Sequence, residues 1–299
     1  MNTCRLCRHS SHTILYEGPI RSGGVGSGFV EGYKILTCDN CGFVQLSPVP
    51  DNLDEFYETD EYRSQFDYQF DPSSIHRKYD HEQNERIARI GIQNIRGKDV
   101  LDLGSSAGVF LDAIHSLAER TIAIEPAAFY KDYLTGQGHT YYPYPEDAIA
   151  SGEKVDIITC FDVIEHVPDP INLVKSAYQL LKPGGVFILS MPNLNDMLRK
   201  INKSEFYPFF FMIAHLNYFG SNVIPFLFNE AGFDTDSLKV DFLHKYGIEN
   251  LIRWAKYGSP GPISEVDDLF DRFTNDHFRS DIERIGISSH LFISAKKKV

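Results

Sequence analysis

Four of the five cysteines in this chain stand in two C-x-x-C pairs, Cys4 with Cys7 and Cys38 with Cys41. Two such pairs can supply four thiolates to a tetrahedral structural zinc site, which leaves no open position for a substrate. A redox C-x-x-C pair and four unrelated cysteines are the alternatives, and His9 or His12 could replace a thiolate as ligand. The spacing predicts a zinc-ribbon module over residues 1–46 that Zn²⁺ stabilises.

A glycine-flanked turn between Asp102 and Gly108 is a second candidate for chemistry, and its pattern is D-x-G-x-x-x-G. The apolar run before it predicts a buried strand, and the apolar spacing after it predicts a helix over Val109–Leu117. Gly104 and Gly108 let a ligand approach the backbone, while the helix start offers N–H groups to a carboxylate or phosphate. The spacing differs from the G-x-G-x-x-G of dinucleotide sites, which disfavours a nucleotide-sugar oxidoreductase.

A carboxylate follows this turn at a distance that suits nucleotide binding. Glu125 ends the next apolar run, roughly 20 residues after the turn, where nucleotide-binding folds place an acceptor for the ribose hydroxyls. A single carboxylate can accept both hydroxyls of a vicinal diol. Two longer segments come later in the chain, D-V-I-E-H-V-P-D-P after a third apolar run and then L-L-K-P-G-G-V-F-I-L.

Alternating strands and helices must position these residues. The strand-like runs alternate with helical patterns, such as His76–Ile95 before the first strand and Ile171–Leu181 before the fifth, which predicts a doubly wound α/β sheet. His290–Lys297 alternates like a closing antiparallel strand. Ligands in such sheets bind beyond the carboxyl ends of the strands, at the topological switch point. The residues predicted at such ends are Gly104, Glu125, Phe161 and Asp162.

In this order, the motifs resemble the class I S-adenosylmethionine-dependent methyltransferases over residues 95–245. The resemblance implies a Rossmann-like, seven-stranded sheet, S-adenosyl-L-methionine as cofactor, and a methyltransferase domain at 98–299 with an aromatic insertion at 194–220. A helical and aromatic linker at 47–97 precedes it. The chain departs from the commonest members at residues 105 and 106, where serines replace Cys-Gly. The implied cofactor-binding residues are Asp102, Gly104, Ser105, Gly108, Glu125, Pro126, Asp147, Phe161 and Asp162.

The cysteine pairs and the aromatic linker narrow the resemblance to zinc-ribbon methyltransferases of sugar tailoring. That family places a tyrosine and two histidines around cofactor and sugar, which here are Tyr62, His166 and His215. A histidine near neutral pH suits a general base, and the two histidines are the candidates. Ala214 stands where the sugar C-methyltransferases carry glutamate, which weakens C-methylation. The expected reaction is methyl transfer to a small, sugar-containing acceptor in polysaccharide or natural-product biosynthesis, with the methylated atom left open.

Composition limits the function classes. The net charge of −12 argues against a nucleic-acid partner, because such a surface would be basic. The N-terminus lacks a secretory pattern and no apolar stretch reaches the ~20 residues of a membrane span, so we expect a cytoplasmic protein. The aromatic stretch 206–219 predicts either a substrate wall or a core helix or subunit contact, which leaves a homo-oligomer possible. A catalytically inactive, partner-binding scaffold is the alternative function.

Overall fold

The computed structural model describes residues 3–51, 71–201, 203–260 and 272–299. The strands are β1 His12–Glu17, β2 Ile20–Arg21, β3 Phe29–Val30, β4 Lys34–Cys38, β5 Val44–Ser47, β6 Asp99–Leu103, β7 Arg120–Ile124, β8 Thr140–Tyr142, β9 Val155–Phe161, β10 Leu181–Pro192, β11 Asn217–Tyr218, β12 Lys239–Leu243 and β13 His290–Lys296. The helices are α1 Pro72–Ile90, α2 Ile92–Ile95, α3 Val109–Ile114, α4 Lys131–Gly136, α5 Pro145–Ala150, α6 Pro170–Leu180, α7 Leu198–Ile201, α8 Lys203–Phe210, α9 Ile224–Glu230, α10 Ile248–Tyr257 and α11 Arg272–Arg284.

Seven strands form one sheet in the order β12-β13-β10-β9-β6-β7-β8. The pairs from β10 to β8 are parallel, and β13 runs antiparallel to both β10 and β12. Within this sheet the chain first forms the central strand β6 and continues through β7 to β8 at one edge. It then returns to form β9 on the other side of β6. The topological switch point therefore lies between β6 and β9. This arrangement confirms the predicted fold class, including the closing antiparallel strand.

The helices depart from the sequence prediction at their ends. The helix expected at His76 begins instead at Pro72, because Asp71 caps it and proline suits the first helical position. Gly91, at φ 89°, separates α1 from α2, since a residue with that backbone angle cannot continue a right-handed helix. Helix α3 ends at Ile114, three residues before the predicted end at Leu117.

A second, four-stranded sheet joins the N-terminal unit, which we define as residues 3–51, to a distant part of the chain. Its order is β1-β4-β5-β11, so the outer strand is supplied by residues 217–218. Arg5 reinforces this junction, because its buried guanidinium donates to Leu216 O at 2.8 Å and to Leu46 O at 2.9 Å. The segment immediately after His215 is thereby hydrogen-bonded to the N-terminal unit.

The aromatic stretch around α8 contributes mainly to a hydrophobic core. Phe206 contacts Trp254 at 5.3 Å between ring centroids, and Phe211 is fully buried beside Tyr218 at 4.9 Å. The same core includes Ile35 and other residues of the N-terminal unit. Among the described residues, every helix is too short or too polar to cross a membrane.

Candidate functional site

The turn after β6 is shaped by a glycine that has no room for a side chain. Gly104 has φ +75°, a backbone conformation that favours glycine, and a Cβ built on it would overlap the Val163 side chain. Gly108 has φ +76°, and a Cβ there would lie 2.7 Å from Leu134 Cδ2. The two glycines therefore allow the turn to pack between its neighbours and bring the backbone to the cleft surface.

Two serine hydroxyls of this turn have no hydrogen-bond partner among the residues that the structure describes. Ser105 is 5% exposed, and neither its hydroxyl nor the buried hydroxyl of Ser106 has a hydrogen-bond partner in the described parts of the chain. Both residues line the cleft. Buried polar groups are ordinarily hydrogen-bonded, so an unpaired pair beside a cleft indicates a position for a polar ligand group.

Two carboxylates flank the turn at strand ends. Asp102 is buried and accepts a hydrogen bond from Thr159 Oγ1 at 2.6 Å, across the β6–β9 switch point. Burial raises the pKa of Asp102 to about 7, although the Thr159 hydrogen bond acts in the opposite direction. Glu125 accepts from the backbone N–H of Ser106 at 2.7 Å and of Ala127 at 3.1 Å. These bonds hold the Glu125 carboxylate at the end of β7.

A cleft of about 880 Å³ extends from this turn across the switch point. Its volume lies within the ~300–1,000 Å³ range of small-molecule and cofactor sites. Phe161 lines the cleft at the end of β9, and His166 and His215 lie further along the same lining. The cleft therefore brings the glycine turn and the two histidines together.

A charged group surrounds Asp162, next to Phe161. Lys245 Nζ lies 3.2 Å and Arg86 Nη2 lies 3.4 Å from Asp162 Oδ2, and Arg86 also pairs with Glu82 at 2.8 Å. Arg86 stacks over the Phe161 ring at 4.4 Å. Burial acts to raise the pKa of Asp162, but the positive charges of Lys245 and its neighbours more than offset this and hold the pKa well below its usual range. Asp162 is therefore ionised and neutralises cationic side chains in the cleft wall.

The two predicted histidines are in contact. Their ring centroids are 4.7 Å apart and the planes are nearly perpendicular. His166 Nδ1 lies 2.9 Å from the Ala214 carbonyl, so this nitrogen donates the hydrogen bond. Burial, followed by the neighbouring His166 and Arg21, lowers the pKa of His215 well below its ordinary value of 6.5. His215 is therefore neutral at pH 7 and able to accept a proton.

Glu165 adjoins the histidine pair. It is 2% exposed, and its Oε2 has no hydrogen-bond partner among the described residues. Burial and then the Asp162 charge raise the pKa of Glu165 well above its ordinary value. One ligand atom from each of Glu165, His166 and His215 lies within 4.8 Å of the others, a spacing that could also hold a metal ion.

The four paired cysteines form a separate cluster in the N-terminal unit. Cys4 Sγ lies 3.6 Å from Cys41 Sγ, and Cys7 Sγ lies 3.5 Å from Cys38 Sγ. All four sulfurs lie within 4.8 Å of one another, so they could hold a metal ion. Cys160 is buried in β9, outside this cluster.

Among the described residues, two of the predicted site residues do not line the cleft. Gly108 supports the turn from behind, against Leu134 and His139. Asp147 is directed away, because its carboxylate accepts from the Tyr144 backbone N–H at 3.3 Å and caps α5, while the adjacent Glu146 lines the cleft. Tyr62 falls outside the described residues. The predicted residues that line it are Asp102, Gly104, Ser105, Glu125, Pro126, Phe161, Asp162, His166 and His215.

Several cleft residues were not predicted from the sequence. Glu165 stands directly before His166 in the quoted motif, so its position alone could have identified it. Arg21, Arg86 and Lys245 come from the N-terminal unit, helix α1 and the segment after β12, and no local pattern distinguishes them from surface cations.

Comparison with known proteins agrees with this geometry. Residues 75–238 match the methyltransferase domain family. A ubiquinone biosynthesis O-methyltransferase from Haemophilus ducreyi is 33% identical over 110 residues, which cover 32% of this chain and 46% of that protein. Another from Psychrobacter cryohalolentis is 30% identical over 135 residues, covering 41% and 50% respectively. The chain thus spans about half the length of the curated relatives it matches.

A solved structure shares the fold. A SAM-dependent methyltransferase from Archaeoglobus fulgidus superposes with a TM-score of 0.50 at 17% identity, covering 73% of this chain and 94% of that chain. At this level of identity the likeness concerns the fold alone.

The substitution Gly104→Ala tests the shape of the turn, with Gly152→Ala as a matched control. Gly152 has a similar φ of +79° but nothing within 4 Å of a built Cβ. We expect the control to lose about 1 kcal/mol of unfolding free energy from backbone strain, and Gly104→Ala to lose about 2 kcal/mol more from the overlap with Val163. Guanidinium unfolding measures both values, and equal losses would contradict the close packing at Gly104.

Proposed function

We propose that this chain, which belongs to the methyltransferase domain family, is an S-adenosylmethionine-dependent methyltransferase that methylates a hydroxyl group of a small, sugar-containing acceptor. The observation that carries the proposal is the histidine pair, which lies in the same cleft as the glycine turn and includes a neutral His215. The proposal assigns the turn to the cofactor and the histidine end of the cleft to the acceptor.

The residues around the turn fit the cofactor. Gly104 exposes backbone to the cleft, and the unpaired hydroxyls of Ser105 and Ser106 are available to a polar group. Glu125 would receive the ribose hydroxyls, and the Phe161 ring would pack on the cofactor. When bound, S-adenosylmethionine would supply a methyl group attached to a cationic sulfonium, and the thioether of S-adenosylhomocysteine would depart as a good, neutral leaving group.

Proton removal is the task of the chain's own residues. Because His215 is neutral at pH 7, it can accept the proton of an acceptor hydroxyl as that oxygen is methylated. His166, fixed by its bond to the Ala214 carbonyl, packs edge-on against His215 and limits the orientation of that ring. Orientation of the acceptor in the cleft supplies the remaining advantage, up to ~7–11 kcal/mol for well-placed reactants.

The lining at the histidine end favours a polar acceptor. The cleft lining contains several charged and hydrogen-bonding side chains beside apolar ones such as Met212, and these polar groups suit the several hydroxyls of a sugar. Residue 214 is alanine, and its carbonyl accepts the hydrogen bond from His166 Nδ1. The absence of a carboxylate side chain at 214 supports O-methylation over C-methylation. The polar and charged residues of the cleft lining include Arg21, Glu165, His166, His215, Lys245, Tyr246 and His290.

We further propose that the cysteine cluster holds a structural Zn²⁺. Zn–S bonds of ~2.3 Å in a tetrahedron place neighbouring sulfurs ~3.8 Å apart, close to the 3.5 and 3.6 Å of the two closest pairs. The metal would stabilise the chain around Cys4 and Cys38. Because Cys38 ends β4, β4 pairs with β5, and β5 pairs with β11, the metal would also help to hold β11 in position.

The first experiment is calorimetric titration with S-adenosylhomocysteine. Wild-type protein should bind it and not NAD. Glu125→Gln should weaken the affinity at least ~10-fold, because a charged hydrogen-bond acceptor contributes roughly 1.5–3 kcal/mol. Glu119→Gln is the control, since Glu119 is exposed and should leave the affinity unchanged. Absence of binding to the wild-type protein would contradict the assignment of the cofactor site.

The acceptor is sought by methyl transfer from labelled S-adenosylmethionine to a panel of nucleotide sugars, free sugars and phenols. With the acceptor found, His215→Gln should lower kcat by ~10²–10⁴-fold and leave S-adenosylhomocysteine affinity intact. The exposed His81→Gln variant is the control. A general base must be unprotonated to act. Because the pKa of His215 lies below 6.5, the ring stays unprotonated down to that pH, and activity should fall only below pH 6.5.

Two results would exclude this assignment. Unchanged turnover in His215→Gln would remove His215 from the mechanism. Transfer to phenols alone would replace the sugar-containing acceptor with an aromatic one.

Metal analysis tests the zinc site. The purified protein should contain one zinc per chain, and Cys38→Ser should lose zinc and lower the melting temperature, because metal binding supplies folding free energy. Cys160→Ala should retain zinc, since Cys160 lies in β9 away from the cluster. A stable, zinc-free wild-type protein would contradict the proposal.

A further inference from the structure

Of the described side chains that line the cleft, three are arginine or lysine, and two of these are paired with carboxylates. Arg86 pairs with Glu82 and Asp162, and Lys245 pairs with the same two carboxylates at 3.7 and 3.2 Å. These four side chains form a compensated group whose internal charges balance.

Arg21, the third cation, is not paired with a carboxylate among the residues that the structure describes. It reaches the cleft from β2 of the N-terminal unit. Its Nη2 donates to Met212 Sδ at 3.2 Å, and a thioether is a weak acceptor. Its buried Nε has no hydrogen-bond partner, and no carboxylate pairs with it, in the parts of the chain that the structure describes. Burial lowers the pKa of Arg21 from its ordinary value, yet a guanidinium remains charged in proteins.

The surroundings hold the guanidinium in one orientation. It stacks over the Phe209 ring at 4.4 Å, an arrangement that covers its face and leaves its N–H groups in the plane. The Arg21 backbone is also fixed, because its N–H donates to Phe211 O and its carbonyl accepts from Ile213 N, both at 3.0 Å. Two N–H groups at the edge of a planar, oriented guanidinium form a fork, and this fork matches the two oxygens of a carboxylate or phosphate.

We propose that Arg21 is the anchor for an oxyanion, a carboxylate or a phosphate, carried by the acceptor. A buried charge without a counter-ion is costly, and a ligand oxyanion would supply the missing partner. The inference rests on the proposed function, because it assigns part of the acceptor to this site. It identifies the acceptor as an anionic molecule.

The position of Arg21 also explains how the anchor would serve the reaction. Arg21 is hydrogen-bonded to residues 211 and 213, and His215 follows two residues later on the same segment. An acceptor held by its oxyanion at Arg21 would present a neighbouring hydroxyl to His215. The N-terminal unit would thus contribute a side chain to acceptor binding.

The experiment compares anions with their neutral counterparts on the full chain saturated with S-adenosylhomocysteine. Calorimetry at constant ionic strength uses uridine diphosphate against uridine, and galacturonate against galactose. We expect one anion to bind at least tenfold more tightly than its neutral counterpart. The pair that shows the difference identifies the oxyanion as phosphate or carboxylate.

Variants assign the effect to Arg21. Arg21→Gln should remove the preference for the anion, and Arg21→Lys should retain part of it, because lysine keeps the charge and loses the planar fork. Lys34→Gln removes the same charge from an exposed residue of the same unit and should behave as wild type. If Arg21→Gln fails to fold, Arg21→Lys is the deciding variant. If Arg21→Lys keeps the full wild-type preference for the anion over its neutral counterpart, the assignment of a planar guanidinium fork is overturned.

Two further outcomes would overturn the proposal. One is equal binding of both anions and their neutral counterparts by the wild-type protein, and the other is an unchanged preference in Arg21→Gln. Failure of the proposed function is distinct, since it would appear as absence of S-adenosylhomocysteine binding in the wild-type protein.

Discussion

The acceptor end of the cleft depends on one buried guanidinium, that of Arg5. It donates to carbonyls of Leu46 and Leu216, which lie on segments 170 residues apart in the chain, and few other groups could satisfy both. Leu216 O also accepts from the Leu46 backbone N–H at 2.9 Å, so the Arg5 bonds reinforce the pairing of the two segments. Together with the bonds between Arg21 and residues 211 and 213, they hold the segment from Phe211 to Tyr218 in place, and with it His215. The cofactor end has no such dependence, because β6, β7 and their turn are contiguous in the chain.

This difference explains what could be predicted from the sequence. The glycine turn and Glu125 follow from short-range patterns, in which a strand, a turn and a carboxylate succeed one another, and the ends of parallel strands meet at one edge. His166 and His215 came through resemblance to a family, and the structure brings them into contact. Arg21 and Lys245 reach the cleft only through long-range packing, so local periodicity contains no information about them. Asp147 shows the converse, since a capping interaction within its own helix directs a plausible ligand away from the cleft.

The acidic side chains of the cleft differ from one another in pKa, which the net charge of −12 does not reveal. Cations around Asp162 hold the pKa of its carboxyl well below the usual range, whereas burial and then the charge of Asp162 raise the pKa of Glu165, three residues later, well above its ordinary value. The pKa values of two acidic side chains on the same loop are thus shifted in opposite directions.

The pairing of β5 with β11 has a consequence for dividing this protein into parts. The sequence pattern places a boundary near residue 47, but the sheet of the N-terminal unit is completed by residues 217–218. A fragment that begins after residue 47 would expose β11 and leave the carbonyl of Leu216 without its donor. A fragment that ends there would carry β5 as an open edge, and unpaired edges promote association between chains. Exchange of the N-terminal unit between homologues would therefore require β11 to be exchanged with it.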